Sequence, residues 1–446
     1  MFGGGVLADP STARLTDIMQ VKTSIVLFAA ALGIGGVVLV QSHARSQERG
    51  QLEAVAPSSN LGRLARAQAN VRQHPKSSPA LGELAAAALT QARETGDPSW
   101  YRVASNAATR AVSIDGNNVD AIDALGTLAL ARHRFPRALG WAEKSIAAVP
   151  SRFSPLSIKA DALIELGRYR EGFSAVEGRL ALRPDLGSYS RASYARELVG
   201  DRTGAIQLMS LAAGAGRPGG EPRAWARTQL GLLRFGSGDL AGAEREMRLA
   251  LAERPNDARA LGGLARVRAG QGDLDGAAKL YGDAIDRLPL PEYPAALLEI
   301  EDVRGNADGA RVARATVDAM SRLQIAAGVR ADLDLALIRA DDQIPNAGDV
   351  RRARAARSER PGIIGDDILG WVLTRSGQCG EGLIYARRSM RLGTRDATMH
   401  FHRGMAAACA GRTTEGRAQL GAALRLNPAF SVRWAPVARD MLAKLA

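Results

Sequence analysis

His400 and His402, in the tripeptide His-Phe-His, and the two cysteines, Cys379 and Cys409, are the side chains of this chain best suited by type to hold a metal ion or attack a substrate. A metal site needs ligands that converge. Two histidines separated by one residue on a helix point in different directions, so this pair reads as ordinary helix-face residues. Cys379 lies in "SGQCGEG" with no basic partner immediately beside it to draw off its proton, and a bridge to Cys409 would require their Cα atoms to approach within about 7 Å. That pairing stays open on sequence alone. The chain contains no G-x-x-x-x-G-K-[ST], H-E-x-x-H, G-x-S-x-G or C-x-x-C pattern, and Gly33, Gly35 and Gly36 fall inside an apolar run rather than after a strand. The expectation is a protein with no catalytic residue, no metal and no cofactor, whose function lies in a surface. The elements that present that surface must then be found.

Composition narrows them. The chain has only 5 Trp, 7 Tyr and 8 Phe in 446 residues, which argues against a conventional core built on aromatic anchors. Alanine, leucine and arginine dominate and favour closely stacked helices. The formal charge is +13, and with six lysines among 59 cations it is carried by arginine. A GC-rich coding sequence produces such a skew whatever the function. An arginine-rich surface binding an anionic polymer is therefore an alternative reading rather than the leading one.

The organisation shows in two near-identical phrases. "GDLAGAEREMRLALAERP" closes at Pro255, and "GDLDGAAKLYGDAIDRLP" closes 34 residues later at Pro289. Counting from Ala224, Leu230, Gly231, Ala243, Ala250 and Pro255 hold places 7, 8, 20, 27 and 32; counting from Ala258, Leu264, Ala265, Ala277, Ala284 and Pro289 hold the same ones, with Tyr281 at place 24. Small residues at 8 and 20 let two helices of a hairpin approach, the one at 27 lets the next hairpin dock, and proline stops the second helix. Further units follow from Gly126, Ala138 and Pro150, from Ala160, Gly172 and Pro184, and from Gly404, Gly416, Ala423 and Pro428.

This pattern resembles the tetratricopeptide repeat. The resemblance implies an all-α fold, a right-handed α-solenoid of about ten helical hairpins over residues 78–430, with an opening helix at 61–77 and a capping helix at 431–446. Gly172, Gly382 and Gly416 stand where alanine is usual; at roughly 1 kcal/mol per glycine in a helix, looser hairpins are expected there.

The resemblance also places a concave groove, lined by places 2, 5, 9 and 12 of each first helix. The predicted lining is Asp120, Asp123 and Asp161 early, Tyr194 and Glu197 next, Trp225 and Phe235 midway, Arg259 and Arg266 after them, then Tyr293, Asp334 and Asp341. Tyr194, Trp225, Phe235, Arg259, Arg266 and Tyr293 are the candidate binding residues. Mixed charge around an aromatic patch suits a protein or peptide segment and argues against a nucleic-acid track, which needs an unbroken cationic groove. The competing role for Trp225 and Phe235 is as fillers between hairpins.

Ahead of the repeats, Thr23–Val40 is uncharged over eighteen residues. A helix of that length spans about 27 Å, against about 30 Å of hydrocarbon. Residues 1–22 then form a leader, 23–41 a transmembrane anchor or signal segment, and 42–60 a polar linker. The expected location is exported or membrane-anchored with the body outside the cytoplasm, attached through 23–41 unless that segment is cleaved.

Overall fold

The computed structural model describes residues 60–330 and 332–445, so the apolar run at 23–40 lies outside the described residues. Among the described residues every regular element is a helix, and none is long and apolar enough to cross a membrane. The chain divides into two compact units, Met1–Arg66 and Ala67–Ala446. Helix α1 (Asn60–Gln73) begins in the first. Ten antiparallel hairpins make up the second: α2/α3 (Ser78–Thr95, Trp100–Ile114), α4/α5 (Val119–Ala131, Phe135–Ala148), α6/α7 (Ser154–Glu165, Tyr169–Leu182), α8/α9 (Leu186–Leu198, Arg202–Ala215) and α10/α11 (Glu221–Gly236, Leu240–Glu253), then α12/α13 (Ala258–Gly270, Leu274–Arg287), α14/α15 (Glu292–Val303, Ala307–Ala326), α16/α17 (Asp332–Asp342, Ala347–Glu359), α18/α19 (Ile363–Arg375, Cys379–Ser389) and α20/α21 (Ala397–Cys409, Thr413–Leu426). Helix α22 (Trp434–Lys444) closes the stack against α20 and α21.

The repeated Gly-Asp-Leu phrase is the hairpin turn. Gly238 and Gly272 adopt φ of 80° and 89°, a region that costs an L side chain about 1–2 kcal/mol. The aspartate that follows caps the second helix: Asp239 accepts from the Gly242 N–H at 2.8 Å and Asp273 from the Gly276 N–H at 2.9 Å. Such caps contribute about 1 kcal/mol each. The same device recurs with Asp201 and Gly204, and with Asn306 and Gly309. Ala243, Ala250, Ala277 and Ala284 are fully buried where hairpins meet.

The glycines expected to loosen their hairpins instead mark close approach. A Cβ on Gly172 would meet Ile164 Cγ1 at 2.8 Å, and one on Gly382 would meet Thr374 Oγ1 at 2.5 Å and the Gly370 carbonyl oxygen at 3.0 Å. Gly382→Ala is therefore expected to destabilise the α18/α19 hairpin by about 1–3 kcal/mol, although alanine is the better helix former. Urea unfolding of the two proteins measures the sign; a gain in stability would restore the loose-hairpin reading.

The second unit coils tightly enough to touch itself. The tip of each of hairpins one to five rests on the loop leading out of the hairpin five further along. Gly96 lies so near Leu288 that a Cβ would come within 2.7 Å of its Cδ1. His133 Nδ1 lies 2.8 Å from the Arg330 carbonyl oxygen, and the Arg360 guanidinium binds the Glu165 carboxylate. The Tyr169 hydroxyl accepts from the Ile363 N–H at 2.6 Å, Arg202 donates to the Arg395 carbonyl, and Asn427 Nδ2 donates to the Phe235 carbonyl at 2.8 Å. The sequence separation across these hydrogen-bonded contacts stays between 192 and 197 residues. One superhelical turn therefore seats directly on the next along a seam, and the concave side becomes an interior.

Candidate binding channel

Five of the six candidate residues come together. Trp225 and Phe235 on α10, Arg259 and Arg266 on α12 and Tyr293 on α14 line one cavity of about 580 Å³, closed on its far side by Leu337 and Ile338 of α16 and by residues 429–434. A second cavity, of about 810 Å³, shares Arg259, Glu292, Ala295, Leu337 and Ile338 with it. A third, of about 240 Å³, shares Phe235 and Arg266. The three adjoin as a channel inside the coil. Such volumes fall largely within the range of ligand sites. Tyr194 stands apart from it: burial and the nearby Glu165 carboxylate raise its phenol pKa against the opposing charge of Arg360, and it helps fill the core among α6, α7 and α8.

Each lining residue is held by its neighbours. Phe235 is 3% exposed, packed against Ala243 and Val267, and carries the Arg266 guanidinium over its ring at 4.9 Å. It thus fills between hairpins and edges the cavity at once. Gly262 lets the Tyr293 ring lie on α12, since a Cβ there would meet the ring at 2.7 Å. Arg259 donates to the Arg93 carbonyl at 2.6 Å. Glu221, buried at the start of α10, faces both Arg93 and Arg259.

Residues 427–434, which repeat spacing did not mark as part of the site, form a wall of it. The Ser431 hydroxyl and the Arg433 N–H both donate to Glu299, at 2.5 and 3.1 Å. Arg433 also donates to the Asp341 carbonyl at 2.7 Å and pairs with Asp302. The indoles of Trp371 and Trp434 donate to the same Asp341 oxygen at 2.8 and 3.1 Å, and burial raises the Asp341 pKa.

The early acidic stretch of the predicted groove is not a free acidic surface. Arg152 binds both Asp120 and Asp123, at 2.5 and 2.7 Å, and Arg191 binds Asp161 through two bonds of 2.9 and 2.8 Å. Each arginine comes from the hairpin or loop that follows. Among the described residues, arginine is the cation of every ion pair except those of Lys279, His133 and His402. Much of the positive charge is thus spent between helices, which weakens the anionic-polymer reading. Glu197 behaves differently. It is exposed at the edge of the smallest cavity, near the Asp396 carboxylate.

His402 and the cysteines have structural partners. His402 Nδ1 lies 2.9 Å from Asp367 Oδ2, and its ring stacks on Trp371 at 4.4 Å and 14°. His400 bonds Gln419 at 2.7 Å. Among the described residues no group of His, Cys, Asp and Glu could hold a metal ion. Cys379, at the start of α19, and Cys409, at the end of α20, form a disulfide with Cα atoms 5.4 Å apart, which joins the ninth hairpin to the tenth.

Fold and channel together define an α-solenoid of helical hairpins wound around an interior channel. Residues 234–300, the stretch around Arg259, Arg266 and Tyr293, match the family model described as Tetratricopeptide repeat. No curated relative matches the sequence. Among solved structures, the chain is similar to the APC/C hetero-tetramer Cut9–Hcn1, with 12% identity over 91% of this chain and 94% of that one and a TM-score of 0.39. It is also similar to MamA, with 18% identity over 39% of this chain and 92% of that one and a TM-score of 0.30. A third similar structure is YrrB, at 17% identity, 41% and 92% coverage and a TM-score of 0.28.

Proposed function

We propose that the protein is a non-catalytic scaffold that holds a segment of a partner protein in the interior channel between hairpins five and eight. The observation that carries this is the convergence of Trp225, Phe235, Arg259, Arg266 and Tyr293 on one cavity. Aromatic walls offer an anchor for an apolar side chain, and flanking charges fix its direction. To test it, a photo-crosslinking residue is placed at Leu232, which lines the channel, and in a second protein at Ile384, which is 56% exposed away from it. Partner capture from Leu232, lost in Trp225→Ala/Arg266→Ala, supports the assignment. Capture only from Ile384, or capture that survives the double substitution, rejects it.

The site of action in this proposal is at or outside the cytoplasmic membrane. The apolar run at 23–40 and the Cys379–Cys409 bridge support it, because such bridges persist in oxidising compartments. Protein isolated from its native cells under alkylating conditions is expected to take no label at either cysteine until a reductant is added. Reduction should then cost the last two hairpins about 2–4 kcal/mol. Label at both cysteines without reductant would put the body in a reducing compartment.

A further inference from the structure

The cavity around Trp225 contains donors with nothing to donate to. Tyr281 and Tyr293 are 5% and 8% exposed, yet among the described residues neither hydroxyl has a hydrogen-bond partner. Both tyrosines line the cavity. A phenol buried to this degree ordinarily finds a partner. Arg266 is close enough for its charge to act on the Tyr281 phenol, and it stacks on Phe235 without an ion-pair partner among the described residues.

The acceptors of the same cavity are mostly committed. Glu299 takes the Ser431 hydroxyl and the Arg433 N–H, Asp341 takes two indoles, and Asp342 binds Arg314 through bonds of 2.7 and 2.6 Å. What remains open is the Arg266 guanidinium, the two phenols and the Gln229 amide beside aromatic walls, with Glu292 a lining carboxylate that has no ion-pair partner among the described residues. We infer that this cavity is a binding site for a carboxylate carried on an aromatic or apolar group, with Arg266 and Tyr281 receiving the carboxylate and Trp225, Phe235 and Tyr293 enclosing the rest. A monoanion fits better than a phosphate dianion, because Glu292, Glu299, Asp341 and Asp342 surround the same space and repel the second charge. The carboxylate can belong to an acidic residue of a partner segment or to a free small acid. The first source rests on the scaffold reading above, and the second does not.

The test uses the full chain and three probes of one shape: phenylpropionate, phenylpropanol and phenylpropylamine, titrated calorimetrically at neutral pH. A capped peptide with one glutamate beside one phenylalanine forms the second arm. Phenylpropionate is expected to bind most tightly, and Tyr281→Phe and Arg266→Gln should each weaken it roughly ten- to a hundredfold, the loss of one charge-assisted bond. Thermal melts by circular dichroism establish that both variants remain folded. Equal or tighter binding of the alcohol or the amine, or unchanged affinity in both folded variants, overturns the site. Peptide binding that the same substitutions weaken assigns it to a partner segment; binding of the free acid alone assigns it to a small ligand. The scaffold reading is judged separately, by crosslinking from Leu232.

Discussion

Replacing His402 with alanine is expected to destabilise the C-terminal hairpins by about 3–5 kcal/mol, the usual consequence of leaving one member of a buried ion pair alone. The side chain is 1% exposed, Asp367 is nearly as enclosed, and Asp367 Oδ1 already lacks a partner. Alanine would also remove the ring that covers one face of Trp371. Burial lowers the imidazole pKa, but Asp367, with further help from Asp341 and Asp396, outweighs it and raises the value above 6.5. The sign of the pH effect follows. A histidine with a raised folded-state pKa contributes stability that is fully present below the unfolded value near 6.5 and is lost as pH climbs through the folded value. Wild type should therefore weaken over that interval, and His402→Gln should flatten the slope. A stacked array opens locally, so amide exchange across α18 and α20 and Trp371 fluorescence report the change better than a global melt. An identical slope in His402→Gln would show that another group is responsible.

That pair shows what the sequence made legible and what it did not. Hairpin boundaries and small-residue places are local, and a spacing of 34 residues displays them. Asp367 and His402 lie 35 residues apart, on the first helices of consecutive hairpins. The pairing is thus written in the spacing between repeats and not in that between adjacent turns of one helix. Arg152 with Asp123, at 29 residues, belongs to the same class. The glycines at 172 and 382 misled because propensity is a property of one helix, whereas their role is set by the neighbour pressing against them. Contacts across 192 to 197 residues could not be anticipated, because they depend on the small rotation between hairpins summed over several of them, and no single repeat encodes that angle. The same accumulation turned a groove into a channel and brought residues 427–434 onto its wall. Tyr194, placed by spacing alone, fell beneath the seam instead.

Loosening the seam should have the larger consequence for access. Arg360 is 17% exposed at its side chain; it binds Glu165 from the turn before, approaches Asp334 at 3.8 Å and lies over the Phe135 ring at 5.6 Å. Arg360→Ala leaves the Glu165 carboxylate, 19% exposed, without its cation, for a loss of about 1.5–3 kcal/mol. Tyr169→Phe strips the Ile363 N–H of its acceptor where the next turn begins, a further cost of about 1–3 kcal/mol. The two sites are close, so their effects will not add simply. Gly167 reinforces the contact: its φ of 70° and its distance from Pro361, whose carbonyl oxygen would lie 2.9 Å from a Cβ, leave no room for another residue. The hairpins themselves do not depend on these bonds, because each packs chiefly on its sequence neighbours. The double variant should therefore keep its helical circular dichroism while its radius of gyration in X-ray scattering rises and the Ile363 amide exchanges faster. A seam that merely decorates the coil would leave the radius and the exchange rate unchanged. A seam that closes the channel predicts one thing more: probes of the interior, phenylpropionate among them, should associate faster with the double variant than with wild type.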